Sequence, residues 1–298
     1  MVRGEHRKWV ILSIALAEPT RTRLAVLGFP IAHSRSPAVH AAAYRTLGVA
    51  LSYERIEIDS ARLAPFIRSL DGQWRGLSLT MPLKRDILDM LSSQDPLVGT
   101  VGVANTVLCT ARGLVGYNTD VFGMVRSFQD AGRRRLERVW MLGAGATTSS
   151  AIVAVAELGA LRVDVFARDE EAARRLIPIG ASVQVEVLTH PWGAAGDDRG
   201  DPGVPDAVVS TVPAGTGLPS FAIEVRERAV LFDVTYEPWP SPLARHWEAA
   251  GGAVISGHEL LLNQALGQVR LFIAGESTTM LPEEEAVLAA MRAAVWED

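Results

Sequence analysis

"RVWMLGAGATTSSAIVAVAELGA", residues 138–160, reads as an apolar run, a glycine turn and a helical stretch in immediate succession. The run Arg138 to Leu142 has the composition of a buried strand, and the small and aliphatic residues after Thr148 suit a helix packed on a sheet. Between them stands Gly143-Ala144-Gly145. The first glycine permits a tight turn, and the second lets a pyrophosphate approach the backbone. The helix start at Ala146 and Thr147 then supplies N–H groups and a partial positive charge. The usual third glycine is Thr148 here. Taken alone, the stretch fits either a dinucleotide-binding turn or a plain glycine-rich strand–helix connection.

The next strand bears on that choice. It ends at Ala167, 22 residues beyond Gly145, where a dinucleotide fold reads the adenosine ribose. A carboxylate there suits NAD, whereas a cation suits the 2′-phosphate of NADP. Arg168 can pair with a phosphate through charge-assisted hydrogen bonds. Asp169 would oppose that phosphate unless it turns away to cap the helix of "DEEAARRL". NADP is the favoured cofactor, with NAD as the alternative.

Working outward, the second α/β unit continues through "VQVEVL", "DAVVST", "AVLFDV" and "GAVISG" to helical stretches over 257–273 and 282–296, with "GAAGDDRGDPGVPD" as a surface loop. The N-terminal part also alternates strand and helix, which predicts a parallel sheet. "RLAVLG" is a strand. Residues 36–47 form a helix with Ser36 as N-cap, Pro37 at the first helical position and Gly48 as the stop. "LSYERIEI" alternates like a half-buried strand, and "GLSLT" is a strand leading into a Pro-led helix in "MPLKRDILDML".

Composition narrows the classes. The 298 residues, 48% hydrophobic and 21% charged, suit a globular protein of about two domains. A net charge of −5 disfavours a nucleic-acid partner, and the basic "GRRRLER" at 132–138 reads as a solvated approach to a strand. One cysteine, Cys109, permits no intrachain disulfide and is compatible with a reducing, cytoplasmic setting. Six scattered histidines show no pair at ligand spacing, so no metal site is expected. The apolar run from Trp9 to Ala17 is too short to span a bilayer, and no membrane partner is expected. Residues 1–22 are read as an extension of unknown role rather than as a signal segment.

Several other stretches are too polar for their surroundings. "GFPIAHSRSP" spends its turn on hydroxyls and cations. "LSLTMPLKRD" carries Ser78, Thr80 and Lys84, and "GVANTVL" carries Asn105 and Thr106. "GYNTDVFG" brings Asn118, Thr119 and Asp120, and "GHELLLNQAL" sets Gln264 in an aliphatic helix. Each has an ordinary reading as a cap, a solvated helix start or a surface polar residue. In this order and spacing they, together with "GAGA", resemble the shikimate dehydrogenase family from about residue 23 to the end.

The resemblance implies two α/β domains with the site in the cleft between them. One is an N-terminal substrate-binding domain over 23–121, completed by the C-terminal helices of 257–298. The other is a Rossmann-like NADP-binding domain over 122–256. It implies that Ser34 and Ser36 seat a substrate carboxylate, and that Thr80, Asn105 and Gln264 contact ring hydroxyls or line the same pocket. Tyr236, in "DVTYEPWP", matches an aromatic near the carboxylate. Lys84 and Asp120 match the catalytic pair, Lys84 moving a proton at the carbonyl oxygen while Asp120 orients it and binds a substrate hydroxyl. Cofactor positions match Gly143, Ala144, Gly145, Ala146, Thr147 and Arg168, with Thr211 in "STVPA" (210–214), Val234 and Gly257 flanking the nicotinamide. The partners implied are shikimate and 3-dehydroshikimate, in a monomer or homodimer.

The chain also departs from the family pattern. Ser78 replaces an asparagine carried by many members, which shortens a hydrogen-bonding arm. The family's "NRT" is "ARD" at 167–169, with Ala172 in place of a further basic residue, which leaves quinate or shikimate oxidation with NAD as the competing activity. A non-catalytic metabolite sensor is the third reading, opposed by the presence of both Lys84 and Asp120.

Overall fold

The computed structural model describes residues 21–194, 203–213, 215–217 and 219–296. The reading of residues 1–22 lies outside these but for Arg21 and Thr22, as do Ala214 and most of the loop over 193–206. The chain divides into two compact units, Met1–Thr119 with Leu261–Asp298, and Asp120–Leu260. Both are α/β. The first division falls just before the helix Asp120–Asp130 and the second within the helix Gly257–Ala274.

The first unit is built on strands β1 (Arg23–Gly28), β2 (Ser52–Glu57), β3 (Trp74–Leu79), β4 (Ser93–Gln94), β5 (Thr106–Thr110) and β6 (Gly113–Tyr117), in the order β2-β1-β3-β5-β6-β4. The sheet is mixed rather than parallel. β1 pairs β2 and β3 in parallel, but β5 runs antiparallel to both β3 and β6. For β5 and β6 the reason is the short connection over 111–112: a two-residue link closes a hairpin, whereas a parallel crossover needs a dozen residues or more. The edge strand β2 shows no clean alternation, with only Tyr53 and Ile56 partly buried. The core gathers Ala25, Leu27, Leu63, Trp74, Leu77, Leu79, Leu83 and Val107.

The helix of residues 36–47 departs from expectation at its start. Arg35, not Ser36, occupies the N-cap in αR geometry without a side-chain cap, and Ser36 is already helical. The cause is local, because the Ser34 hydroxyl accepts the Ser36 N–H at 3.3 Å and stands in for a cap. The Pro-led helix after β3 is short, covering Leu83–Asp86 with a 3₁₀ turn at Leu88–Met90.

The second unit holds β7 (Arg138–Leu142), β8 (Arg162–Ala167), β9 (Glu186–Pro191), β10 (Ala207–Ser210), β11 (Val230–Asp233) and β12 (Val254–Ser256) in the order β12-β11-β10-β7-β8-β9, all parallel. Read from β9, this is the doubly wound order of a dinucleotide-binding sheet, and the direction of winding reverses between β7 and β10. Trp140, Phe166, Val208, Phe221, Leu231 and Trp247 pack one of its faces.

Candidate active site

The predicted residues fall into two sets. Ser34, Ser36, Thr80, Lys84, Asn105 and Gln264 belong to the first unit, while Asp120, Tyr236 and every predicted cofactor residue belong to the second.

In the first unit Thr80 directly follows β3, its N–H bonded to the Leu27 carbonyl at 2.9 Å, and Lys84 comes next on the short helix, half-buried. The Lys84 carbonyl is held by the Ala104 N–H at 2.9 Å, which ties the lysine's backbone to the residue before Asn105.

Asn105 is buried, and its orientation is dictated by its neighbours. Its Oδ1 accepts from the Thr119 N–H and the Thr106 hydroxyl, both at 2.8 Å. With the carbonyl oxygen so occupied, its Nδ2 faces the Thr119 hydroxyl at 3.0 Å and Gln264 Oε1 at 3.4 Å. The amide is thereby fixed in one orientation, with its oxygen towards Thr106 and the Thr119 N–H and its nitrogen towards Gln264.

The same order runs deeper. Gln268 Nε2 donates to the Thr106 hydroxyl at 3.1 Å, and its Oε1 meets His40 Nε2 at 3.2 Å. This assigns the His40 proton to Nε2, so Nδ1 accepts from the Tyr44 hydroxyl at 3.0 Å. A single direction of donation thus runs from Tyr44 through His40, Gln268 and Thr106 to Asn105. A fully satisfied buried network of this kind holds its members rigid.

His40, Tyr44 and Gln268 were not among the residues singled out from the sequence. Two signals were present: Gln268 stands one helical turn beyond Gln264, and His40 and Tyr44 continue the Ser36 face at intervals of four.

Burial pushes the His40 imidazole down from 6.5 to about 3. Its folded pKa lies below its unfolded one, so the unfolded chain binds more protons between those values and stability falls as pH drops from 6.5 towards 3. A decrease on the order of a few kcal/mol over that window is expected from this group. Urea unfolding at pH 7 and pH 4.5 checks it, and His40→Gln should flatten the slope.

In the second unit the glycine turn lies at the sheet's switch point. Gly143 has φ of +103°, and a Cβ there would stand 2.7 Å from Thr211 Oγ1. Thr148, completely buried where a third glycine is usual, shares a 2.8 Å hydrogen bond with the Thr211 hydroxyl. Each hydroxyl also lies within reach of a carbonyl, Gly143 O at 3.1 Å for Thr148 and Leu142 O at 2.9 Å for Thr211, so that one donates to its carbonyl while the other donates across the pair. Thr211 therefore braces the turn from across the switch point. Gly145 caps the helix Ala146–Glu157 in extended geometry with open space before it. An exposed glycine at the N-terminus of a helix of three turns is a fit cradle for a pyrophosphate.

Arg168 is exposed, and Asp169 caps its helix by accepting the Ala172 N–H at 2.9 Å, so one carboxylate oxygen is engaged by the helix start. The two glutamates that follow are each paired with Arg174, at 2.8 Å from Glu170 and 3.4 Å from Glu171. Gly257 touches the loop after β11 so closely that a Cβ would meet the Val234 carbonyl oxygen at 2.2 Å. Tyr236 is half-buried, its ring 5.9 Å from that of His258. A cavity of about 570 Å³ opens at the carboxyl ends of β10 and β11 among Val212, Phe221, Arg226, Asp233 and His246, and it does not include the glycine turn. Among the described residues no cluster of His, Cys, Asp and Glu could hold a metal, and no helix is long and apolar enough to cross a membrane.

Comparison with known proteins adds the decisive observations. The family model described as the shikimate dehydrogenase substrate binding domain matches residues 26–107. A shikimate dehydrogenase (NADP(+)) of Anaeromyxobacter sp. is 31% identical over 246 residues, 80% of this chain and 86% of the relative. This chain belongs to the shikimate dehydrogenase family. Among solved members, the Mycobacterium tuberculosis shikimate dehydrogenase is 36% identical with a TM-score of 0.78, over 91% of this chain and 99% of that one. The Thermus thermophilus shikimate 5-dehydrogenase, solved in complex with NADP(H) and shikimate, is 28% identical with a TM-score of 0.72, over 92% and 99%. As a shikimate dehydrogenase family member, the chain is an oxidoreductase with a Rossmann-like second unit.

Proposed function

We propose that the protein catalyses the reversible, NADPH-dependent reduction of 3-dehydroshikimate to shikimate. The observation that carries this reading is the locked amide of Asn105, its oxygen filled by Thr119 and Thr106 and its N–H bonds facing the Thr119 hydroxyl and Gln264 Oε1. A buried amide fixed in one orientation beside hydroxyls and a second amide suits a substrate presenting ring hydroxyls. Ser34 and Ser36 receive the ring carboxylate, in keeping with the Ser34 oxygen accepting the Ser36 N–H and so leaving its own proton for an anion. Thr80 and Gln264 bind ring hydroxyls, and Tyr236 packs near the carboxylate.

The bound cofactor supplies or takes up the hydride at the ring carbon. The chain's own residues manage the accompanying charge and proton. Lys84 stabilises the negative charge that builds on the carbonyl oxygen and delivers a proton to it; in the oxidative direction its neutral amine takes that proton back. Asp120, buried at the first turn of its helix, accepts a hydrogen bond from a substrate hydroxyl and fixes the ring's orientation. Gly143, Ala144, Gly145, Ala146 and Thr147 hold the pyrophosphate, Arg168 the 2′-phosphate, and Thr211, Val234 and Gly257 border the nicotinamide.

The test is oxidation of shikimate by the purified protein, followed by reduced-nicotinamide absorbance with NADP and with NAD. Turnover favouring NADP and shikimate is expected; equal or better efficiency with quinate and NAD would overturn the assignment. In the same assay Arg168→Ala should raise KM for NADP about tenfold and leave KM for NAD unchanged, because one charge-assisted contact to phosphate is lost.

A further inference from the structure

Thr211, Val234 and Gly257, which border the proposed nicotinamide site, each stand one position beyond a single row of the second sheet. That row is Ser210, Asp233 and Ser256, paired side by side at the ends of β10, β11 and β12. Past it the ladder runs out, and backbone groups there need other partners. The Val234 N–H still finds the Ser210 carbonyl at 3.0 Å. The Thr235 N–H goes instead to the Asp233 carboxylate, with Oδ1 at 3.1 Å. The second oxygen, Oδ2, receives the Ser241 hydroxyl at 2.5 Å, the length of a hydroxyl donating to a carboxylate. Ser241 is the N-cap of the helix Pro242–Glu248 and accepts the Ala244 N–H at 3.0 Å, so its own proton goes to Asp233. Both side chains are buried. One carboxylate thus holds both ends of the loop over 234–240, and the first carbonyl of that loop, Val234 O, is the atom that lies against Gly257.

We propose that Asp233 is a positioning residue for the nicotinamide end of the cofactor site, its carboxylate tying Thr235 to Ser241 so that the Val234 carbonyl is held beside Gly257. This rests on the cofactor site proposed above. The carboxylate takes over where strand pairing stops, and it needs both oxygens to do so. Because both partners are engaged within the protein itself, the border is set before the cofactor arrives, and less freedom is lost on binding. The glycine turn follows β7 and Arg168 follows β8, so the brace acts on one end of the dinucleotide only.

The test uses the full chain and compares NADP with adenosine 2′,5′-bisphosphate, which carries the 2′-phosphate but no nicotinamide. Ser241→Asp keeps an oxygen to cap the helix, but it has no proton to give Asp233 and sets a second negative charge beside it. In calorimetry it should weaken NADP binding about tenfold and leave the bisphosphate within about twofold, a ratio that general damage to the unit would not shift. In steady-state assays kcat for shikimate oxidation should fall about tenfold, since the hydride path is misplaced. Asp233→Asn added to Ser241→Asp should recover most of the NADP affinity. The amide nitrogen then donates to the new carboxylate while its oxygen still takes the Thr235 N–H. Ser241→Ala adds no charge and should move the same ratio about fivefold, which decides the matter if Ser241→Asp does not fold. Unchanged NADP affinity in Ser241→Asp, an equal loss for the bisphosphate, an unmoved ratio in Ser241→Ala, or a double variant no better than the single would overturn the proposal. A wild-type protein that binds NADP without oxidising shikimate would overturn the functional assignment alone. One that binds no NADP would overturn both.

Discussion

Lys84→Ala should lower kcat for shikimate oxidation by about 10³-fold while changing KM for shikimate and NADP only a few-fold. The size follows from the role proposed for it. A positioned acid–base group contributes about 10²–10⁴-fold, and stabilisation of the developing oxyanion adds to the same loss. The substitution should leave the fold intact, because Lys84 is only half-buried on a helix of four residues whose backbone is anchored by the Ala104 N–H. Stopped-flow measurement of the first turnover, beside a thermal melt, separates lost chemistry from lost structure. A variant retaining more than a tenth of wild-type turnover would show that Lys84 does not carry the proton.

Gly257→Ala should cripple cofactor use and destabilise the second unit at once. Its Cβ would fall 2.2 Å from the Val234 oxygen, 2.5 Å from the Val234 carbonyl carbon and 2.7 Å from the Thr235 oxygen. These are backbone atoms and cannot rotate aside. The Val234 N–H is itself bonded to the Ser210 carbonyl at 3.0 Å, and the Thr235 N–H to Asp233 at 3.1 Å, so the loop after β11 has little room to retreat. Overpacking of this kind costs about 1–3 kcal/mol, and a loop displaced beside the proposed nicotinamide site should raise KM for NADP more than tenfold. Differential scanning calorimetry and cofactor titration check the two effects separately. A variant with unaltered melting and unaltered KM would mean that the helix start can shift away from the loop without consequence.

Much of this was legible in the chain itself. The strand–turn–helix of residues 138–160 specifies its unit because strand, glycine turn and helix start are local features, and the parallel order of the second sheet follows from repeated strand–helix alternation. Asp169 as a cap was equally readable, since an N-cap depends on the residue and the three that follow it. The reading failed at Ser36 because capping was contested within the turn: the Ser34 hydroxyl took the Ser36 N–H, and the helix began one residue early. The first sheet is less legible because the hairpin of β5 and β6 is flanked by Asn105-Thr106 and Asn118-Thr119, polar pairs that signal chemistry more strongly than strand pairing.

By itself, the sequence determined the family, the α/β class, the glycine turn and the identities of the donors and charged groups proposed for the site. Each of these is set by residue type at short spacing, where local backbone chemistry dominates. Only the tertiary structure decided which way those groups face. The amide of Asn105 is oriented by Thr119 close by and, through Thr106, by Gln268, 162 residues from Thr106, and the imidazole that holds Gln268 lies 228 residues from it. Tyr53 meets Ser78 only by reaching over β1, a contact that no spacing in the chain announces. A buried polar group takes its direction from whichever partners surround it, and those partners are assembled by packing.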